Sequence, residues 1–212
     1  MSRQTLADSC YEMVKERILD GEFNQNGIPG VDDLAAACGV SRQPVLTAIK
    51  RLEFEGFLEV VPQVGSRLKE YTPREIRHFF ELFAEGEAIL AREAAHNATP
   101  LDCGILRAIN DEIHRLAQGE VGTDVALAYR RLNRRFHLRI RDISNSRVVS
   151  SVIENLGDLS DYVIITRSNK FRDRLLMAAA EHDALVGFIQ NGDAEGATDC
   201  ARRHILAFSI SE

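Results

Sequence analysis

No apolar run in this 212-residue sequence approaches the ~18–20 residues needed to cross a bilayer, so no membrane partner is expected. Cysteine is scarce, and Cys10, Cys38, Cys103 and Cys200 form no C-x-x-C pair. That excludes a zinc ribbon and a disulfide scaffold and favours a reducing setting. The opening residues Met1-Ser2-Arg3-Gln4 start no signal peptide, so the expected location is the cytoplasm. Positive charge is not in excess: 26 Lys+Arg face 32 Asp+Glu, a formal charge of −6. A uniformly basic nucleic-acid coat is thereby ruled out, although a local basic patch is not. Internal repeats and low-complexity segments are also missing. What is there is 45% apolar and 27% charged, which is ordinary for a globular chain and incompatible with wholesale disorder. At ~100–200 residues per domain, the length fits one large domain or two compact ones.

Turn and cap signals divide the chain near residue 72. Before it lie short elements punctuated by glycines at 21, 27, 30, 39, 56 and 65. Leu6, Cys10, Val14 and Ile18 step by four and predict one amphipathic helix ending before Gly21. A short helix follows over Asp32–Cys38, with Gly39 just beyond its end. Ser41 caps a third helix reaching Glu55, with Pro44 in its first turn and Val45, Ile49 and Leu52 as its buried stripe. Residues 57–61 then read as a strand, 62–65 as a turn and 66–68 as a returning strand. Helix, helix-turn-helix and hairpin is the order of a winged helix-turn-helix, predicted over residues 1–72.

Residues 73–212 read as an all-α antiparallel bundle, so the fold class is mainly α. Thr72-Pro73-Arg74-Glu75 is a capping box with proline in the first helical position, and Thr99-Pro100-Leu101-Asp102 repeats it with Asp. Ile76, Phe79, Phe80, Phe83, Ala84 and Ala88 form an amphipathic stripe between them. Breaks near 119–122, 144–146, 168–170 and 191–193 then give about six helices of ~15–24 residues.

The third helix of the first domain carries Arg42, Lys50 and Arg51 and no acid between Ser41 and Arg51. Residues 1–72 hold 8 basic and 11 acidic residues, so this acid-free stretch is a local exception. Arg42 and Gln43 at a helix N-terminus suit major-groove reading, because Arg pairs bidentately with guanine and Gln with adenine. Gly65 at the hairpin tip lets backbone approach a phosphate or the minor groove. With Ser66 and Arg67 beside it, it completes the DNA-binding candidates Ser41, Arg42, Gln43, Lys50, Arg51, Gly65, Ser66 and Arg67. A small helical domain with a few solvated charges is the competing reading.

The stretch from Leu34-Ala35 through Gly39-Val40-Ser41-Arg42-Gln43-Pro44-Val45, followed by Arg51-Leu52-Glu53-Phe54-Glu55-Gly56-Phe57-Leu58, resembles the helix-turn-helix of GntR-type bacterial regulators. The resemblance covers nearly all of residues 10–70 and implies sequence-specific binding to double-stranded operator DNA. Two positions depart from it. The family's Arg-Glu after Pro-Val is Leu46-Thr47 here, and the proline before the second helix is displaced to Pro29 within Asn24–Gly30.

The second domain carries a metal-ligating pattern. Asn133 and His137 are four apart and share a helix face. His182 lies ten residues before Gly192 and His204 twelve after it, so a helix hairpin turning there returns both imidazoles to nearly the same level. Three neutral imidazoles converging inside a bundle fit a divalent transition metal such as zinc or nickel. Spacing alone leaves open that they are hydrogen-bonded core residues, which is the reading for His78, His96 and His114, since these lack spaced partners.

Residues 73–212 resemble the FCD effector-binding domain of the FadR branch of GntR regulators. The marks are Asn133-x-x-Phe136-His137, Ser144-x-Ser146, Glu181-His182, Gly192-Asp193 and Arg203-His204. The resemblance implies a metal held by His137, His182 and His204, with Asn133 where metal-binding members carry Asp. An amide oxygen ligates but brings no charge, so a bound anion gains importance. A helix-borne arginine that grips the effector carboxylate in relatives is missing, with Gly86 near its place; Arg130 and Arg134 flank the ligand face and are the substitute effector-binding candidates. The Arg-rich stretch 129–141 has a competing reading as a solvated face.

The leading expectation is a ligand-responsive transcriptional regulator, a repressor that works as a homodimer on a two-fold operator and is modulated by a small carboxylate effector. A constitutive DNA-binding dimer with a metal-free structural bundle is the alternative. A metal-dependent hydrolase using the three-histidine site is a further one, disfavoured because no carboxylate on the ligand face is poised as a base and no catalytic residues are expected.

Overall fold

The computed structural model describes residues 5–23, 27–119, 123–167 and 171–208. The expected breaks at 120–122 and 168–170, and part of the Asn24–Gly30 segment, lie outside the described residues. The chain forms two compact units, residues 1–71 with 161–166, and residues 72–160 with 167–212.

In the first unit, helices α1 (Leu6–Leu19), α2 (Val31–Cys38) and α3 (Arg42–Phe54) precede an antiparallel hairpin of β1 (Leu58–Val61) and β2 (Gly65–Leu68). The α1 stripe departs from the four-step pattern at its start. Cys10, Tyr11, Val14 and Ile18 are buried, whereas Leu6 in the first turn is exposed. Gly39 ends α2 in the left-handed conformation at φ 67°, as its position predicts.

Ser41 occupies the N-cap of α3 but its side chain makes no capping hydrogen bond, contrary to expectation. The cause is local: the third helical residue is Pro44, which has no N–H for a serine hydroxyl to accept from. The hairpin runs in the register Leu58↔Leu68 and Val61↔Gly65, one residue longer on the return strand than predicted and one shorter on the outgoing one. The turn closes over Pro62-Gln63-Val64, with Gln63 at φ 64°.

In the second unit the described helices are α4 (Pro73–Asn97), α5 (Pro100–Gln118), α6 (Thr123–Ser144), α7 (Arg147–Arg167), α8 (Phe171–Gln190) and α9 (Ala194–Leu206). The last residues of α7 are grouped with the first unit. Both threonine capping boxes form as expected: Thr72 accepts from the Glu75 N–H, and Thr99 from the Asp102 N–H, with the acid answering each cap's N–H. Helix α4 packs on α6, α8 and α9, and α5 on α6 and α8. Gly192, left-handed at φ 68°, turns α8 back onto α9, and the Asp193 carboxylate caps α9 by accepting from the Gly196 N–H at 2.9 Å. The core between these helices is formed by residues such as Leu106, Ile113, Phe136, Ile140, Leu185 and Ile189.

Gly86 in α4 is a point of close approach. A Cβ there would lie 1.9 Å from Ile153 Cδ1 and 2.6 Å from Cγ1, so α7 seats a side chain on it. Gly104 in α5 faces open space. Gly86→Ala should therefore destabilise the bundle by about 1–3 kcal/mol through overpacking, whereas Gly104→Ala should stabilise it by roughly 0.5–1 kcal/mol through helix propensity. Urea unfolding of both variants measures the opposite signs, and Ile153→Ala should recover most of the Gly86→Ala loss.

Candidate metal centre and nucleic-acid interface

Three helices bring the imidazoles together. His137 projects from α6, His182 from α8 and His204 from α9, and all three are buried. Ring centroids are 5.5 Å apart for His137–His182, 5.3 Å for His137–His204 and 4.7 Å for His182–His204. The hairpin at Gly192 thus returns His182 and His204 to one level, as the spacing predicts. One nitrogen from each ring lies within 4.8 Å of the others. Bonds of ~2.0–2.1 Å to one tetrahedral ion need nitrogen separations of about 3.3 Å, within reach of small ring adjustments. Phe136 stacks on His182 at 4.0 Å and walls off one side.

Each ring is held from behind by an acceptor on a different element. His137 Nδ1 lies 3.0 Å from Glu87 Oε2 of α4, His182 Nδ1 lies 3.1 Å from Asn110 Oδ1 of α5, and His204 Nδ1 lies 2.6 Å from Glu181 Oε2 of α8. A carboxylate or amide oxygen at Nδ1 puts the proton there, which leaves the Nε2 lone pair for a cation. The orientation of the Asn110 amide is set by its Nδ2, which donates to the Ala179 carbonyl at 2.9 Å and to Asp183 Oδ1 at 2.7 Å.

Glu87 divides its two oxygens. Oε2 faces His137, while Oε1 accepts from Arg141 Nε at 3.1 Å and Nη2 at 2.6 Å. Complete burial by itself would push the Glu87 carboxyl up, but Arg141 and His137 outweigh it and hold the carboxyl at about 2. Glu87, Asn110 and Arg141 support the triplet and are not among the residues that the sequence singles out. A signal existed: Glu87 keeps the spacing of the α4 stripe after Phe80, Phe83 and Ala84, and Asn110 that of α5 between Leu106 and Ile113. A charge or amide on a buried stripe needs a partner, and that need points to a polar site.

Asn133, half-buried one turn before His137, accepts the Tyr129 hydroxyl at 3.3 Å through its amide oxygen. Arg130 is buried, and Arg134 pairs with the buried Asp158 at 2.9 Å. The stretch 129–141 is not a plain solvated face, since Tyr129, Arg130, Phe136, His137 and Arg141 are all buried. His78 and His96 are exposed and not the core residues expected, and half-buried His114 reaches Asp183 at 2.7 Å; among the described residues none of these joins the triplet.

In the first unit, Ser41, Arg42, Gln43 and Lys50 are exposed together with Leu46 and Thr47, as one face of α3. Arg42 pairs with Asp32 at 3.2 Å across the turn between α2 and α3, a surface pair of small worth. Gly65, at φ 122° with open space around it, and Arg67 are exposed on the hairpin, Ser66 is half-buried, and Arg67 bridges to Glu59.

Arg51 is held differently. Its guanidinium lies 3.6 Å from the Tyr11 ring centroid and 3.0 Å from Glu55 Oε1. Tyr11 in turn donates to Glu55 Oε2 at 2.5 Å, its hydroxyl pushed up to about 12 by burial and by Glu55. Arg51→Ala should therefore cost the first unit about 0.5–1 kcal/mol through the lost cation–π contact, with Lys50→Ala near neutral. Equal urea midpoints for the two variants would remove the structural role of Arg51.

Residues 80–207 match the FCD domain family, and residues 6–68 match the family of bacterial regulatory proteins of the gntR type. The chain is 23% identical over 199 residues to the HTH-type transcriptional regulator YdhC of Bacillus subtilis (strain 168), covering 93% of this chain and 84% of that protein. It is 28% identical over 126 residues to the Nta operon transcriptional regulator of Aminobacter aminovorans, covering 59% of this chain and 58% of that one. The fold is similar to that of E. coli McbR/YncC, with a TM-score of 0.76 at 21% identity over 95% of this chain and 93% of that one. These families are regulators and not enzymes, which sets the hydrolytic reading aside. The chain belongs to the GntR family of bacterial transcriptional regulators, with a helix-turn-helix unit followed by an FCD domain.

Proposed function

We propose that this regulator is a repressor whose operator binding is modulated by a small carboxylate effector held at or beside a divalent ion, zinc or nickel, in the FCD domain. The observation that carries the reading is the trio of buried imidazoles, each with Nδ1 on an oxygen acceptor. His137, His182 and His204 would hold the ion, with Asn133 as a weak fourth ligand. Such an ion supplies positive charge and open coordination positions for a carboxylate. Because Asn133 is neutral, the anion would supply charge that an acid would otherwise provide. Metal and effector should then raise each other's affinity. Arg130 and Arg134 are the side chains proposed to meet the rest of the effector, Arg134 by exchanging its bond to Asp158.

Residues 1–72 would form the DNA-binding head and 73–212 the effector-binding and dimerising domain, working in the cytoplasm. A homodimer is proposed because one head with a few phosphate contacts binds too weakly to compete with bulk DNA. Two linked heads on a two-fold operator gain effective concentration. Arg42 would leave Asp32 to read a base edge, with Gln43 beside it and Lys50 on a phosphate.

Arg42→Ala should cost ~1–3 kcal/mol of specific binding and relax preference at one base position. A mobility-shift titration on a selected operator at matched salt measures it, and unchanged affinity would overturn the assignment of α3. For the metal, calorimetry with zinc and a panel of small carboxylates should give tighter binding of each in the presence of the other. Asn133→Asp should tighten zinc and weaken its dependence on the anion, and His204→Ala should lose both ligands. Effector binding that is the same with and without a chelator would make the triplet structural.

A further inference from the structure

The three imidazoles are not supported alike. Asn110 offers His182 a neutral amide oxygen, whereas His137 and His204 each place Nδ1 on a carboxylate, Glu87 at 3.0 Å and Glu181 at 2.6 Å. An Nδ1–H that donates to a carboxylate makes the far nitrogen a stronger donor, and the negative charge stands one ring's width from the ion. The neutral Asn133 departs from the acid expected at its place, so the ligand set proposed above carries no charge at all. The two carboxylates come from different helices, Glu87 from α4 and Glu181 from α8. Glu181 is also the sequence neighbour of a ligand: on α8, His182 turns inward while Glu181 reaches across to the ring from α9.

We propose that Glu87 and Glu181 are positioning residues that supply, from behind His137 and His204, the negative charge that Asn133 does not bring to the metal. The inference rests on the metal reading above. It separates two roles that hydrogen bonding alone would merge. Asn110 orients its ring without charge, and Glu87 and Glu181 orient theirs and also compensate the ion. Glu87 further holds the buried Arg141, so its loss would leave that guanidinium without its carboxylate in the interior. The Glu181 side chain is 28% exposed against 2% for Glu87, so removing its charge perturbs the buried interior less.

The test is zinc affinity of the metal-free full chain, read by competition with a chromophoric chelator, for the wild type, Glu181→Gln, Glu87→Gln, Asn133→Asp and Glu181→Gln combined with Asn133→Asp. Glutamine keeps an oxygen that can accept from Nδ1 and removes the charge. Glu181→Gln should weaken zinc by roughly 10–100-fold, and Glu87→Gln by the upper part of that range. Asn133→Asp should raise zinc affinity by a larger factor on the Glu181→Gln background than on the wild type, whereas a purely structural role of Glu181 would give the same factor on both. Thermal melting of each metal-free variant checks the fold, and if Glu87→Gln fails to fold, Glu181→Gln and its coupling to Asn133→Asp decide the matter. Wild-type zinc binding with an unweakened Glu181→Gln overturns this inference and leaves the metal reading standing. A wild type that binds no zinc overturns both.

Discussion

Three hydrogen bonds at the backs of three buried histidines set the character of the second unit. An imidazole in an apolar core must satisfy both nitrogens, and leaving one unmet costs about 1–3 kcal/mol. Glu87, Asn110 and Glu181 each meet one nitrogen, and in doing so decide which nitrogen remains to face the centre. The requirement spreads outward from there. Glu87 needs Arg141, Asn110 needs the Ala179 carbonyl and Asp183, and these partners come from α6 and α8. A bundle designed only for stability would place leucine at all these positions. The polar interior holds together because each group is paired, and it suits the cation and anion proposed for it.

The first unit shows the opposite economy. The helix end proposed to read bases is exposed: Arg42 makes a surface ion pair with Asp32, and Gln43 and Lys50 are exposed. A pair worth at most about 1 kcal/mol is readily exchanged for a bidentate base contact. Arg51, by contrast, sits on Tyr11 and Glu55 and braces α1 against α3. Two neighbouring basic residues of α3 therefore do different work, a distinction that arises from the hundred-degree step between successive helical positions.

Much of this was readable before any coordinates. The capping boxes at Thr72 and Thr99, the left-handed glycines 39 and 192 and the convergence of His182 with His204 all follow from local rules that tertiary structure did not override. The Ser41 cap failed because Pro44 removes the N–H it would need, a conflict visible in the sequence but outweighed by the cap preference of serine. Leu6, in the first turn of α1, is exposed among the described residues, so the four-step stripe starts at Cys10. Glu87 and Asn110 went unread for a different reason. A polar residue on an apolar stripe breaks the periodic pattern, although a buried carboxylate is the rarer and more informative event. No pattern in the sequence links Glu87 to His137 and Arg141, fifty and fifty-four positions away. Only the packing of α4 on α6 reveals that link.

The most direct test of the central claim, that these histidines form a metal centre, is X-ray absorption spectroscopy at the zinc edge on the zinc-loaded full chain. The account predicts one ion per chain with three imidazole nitrogens at ~2.0–2.1 Å and oxygen in the remaining positions. A shell containing sulfur, or fewer than three imidazoles, would contradict it.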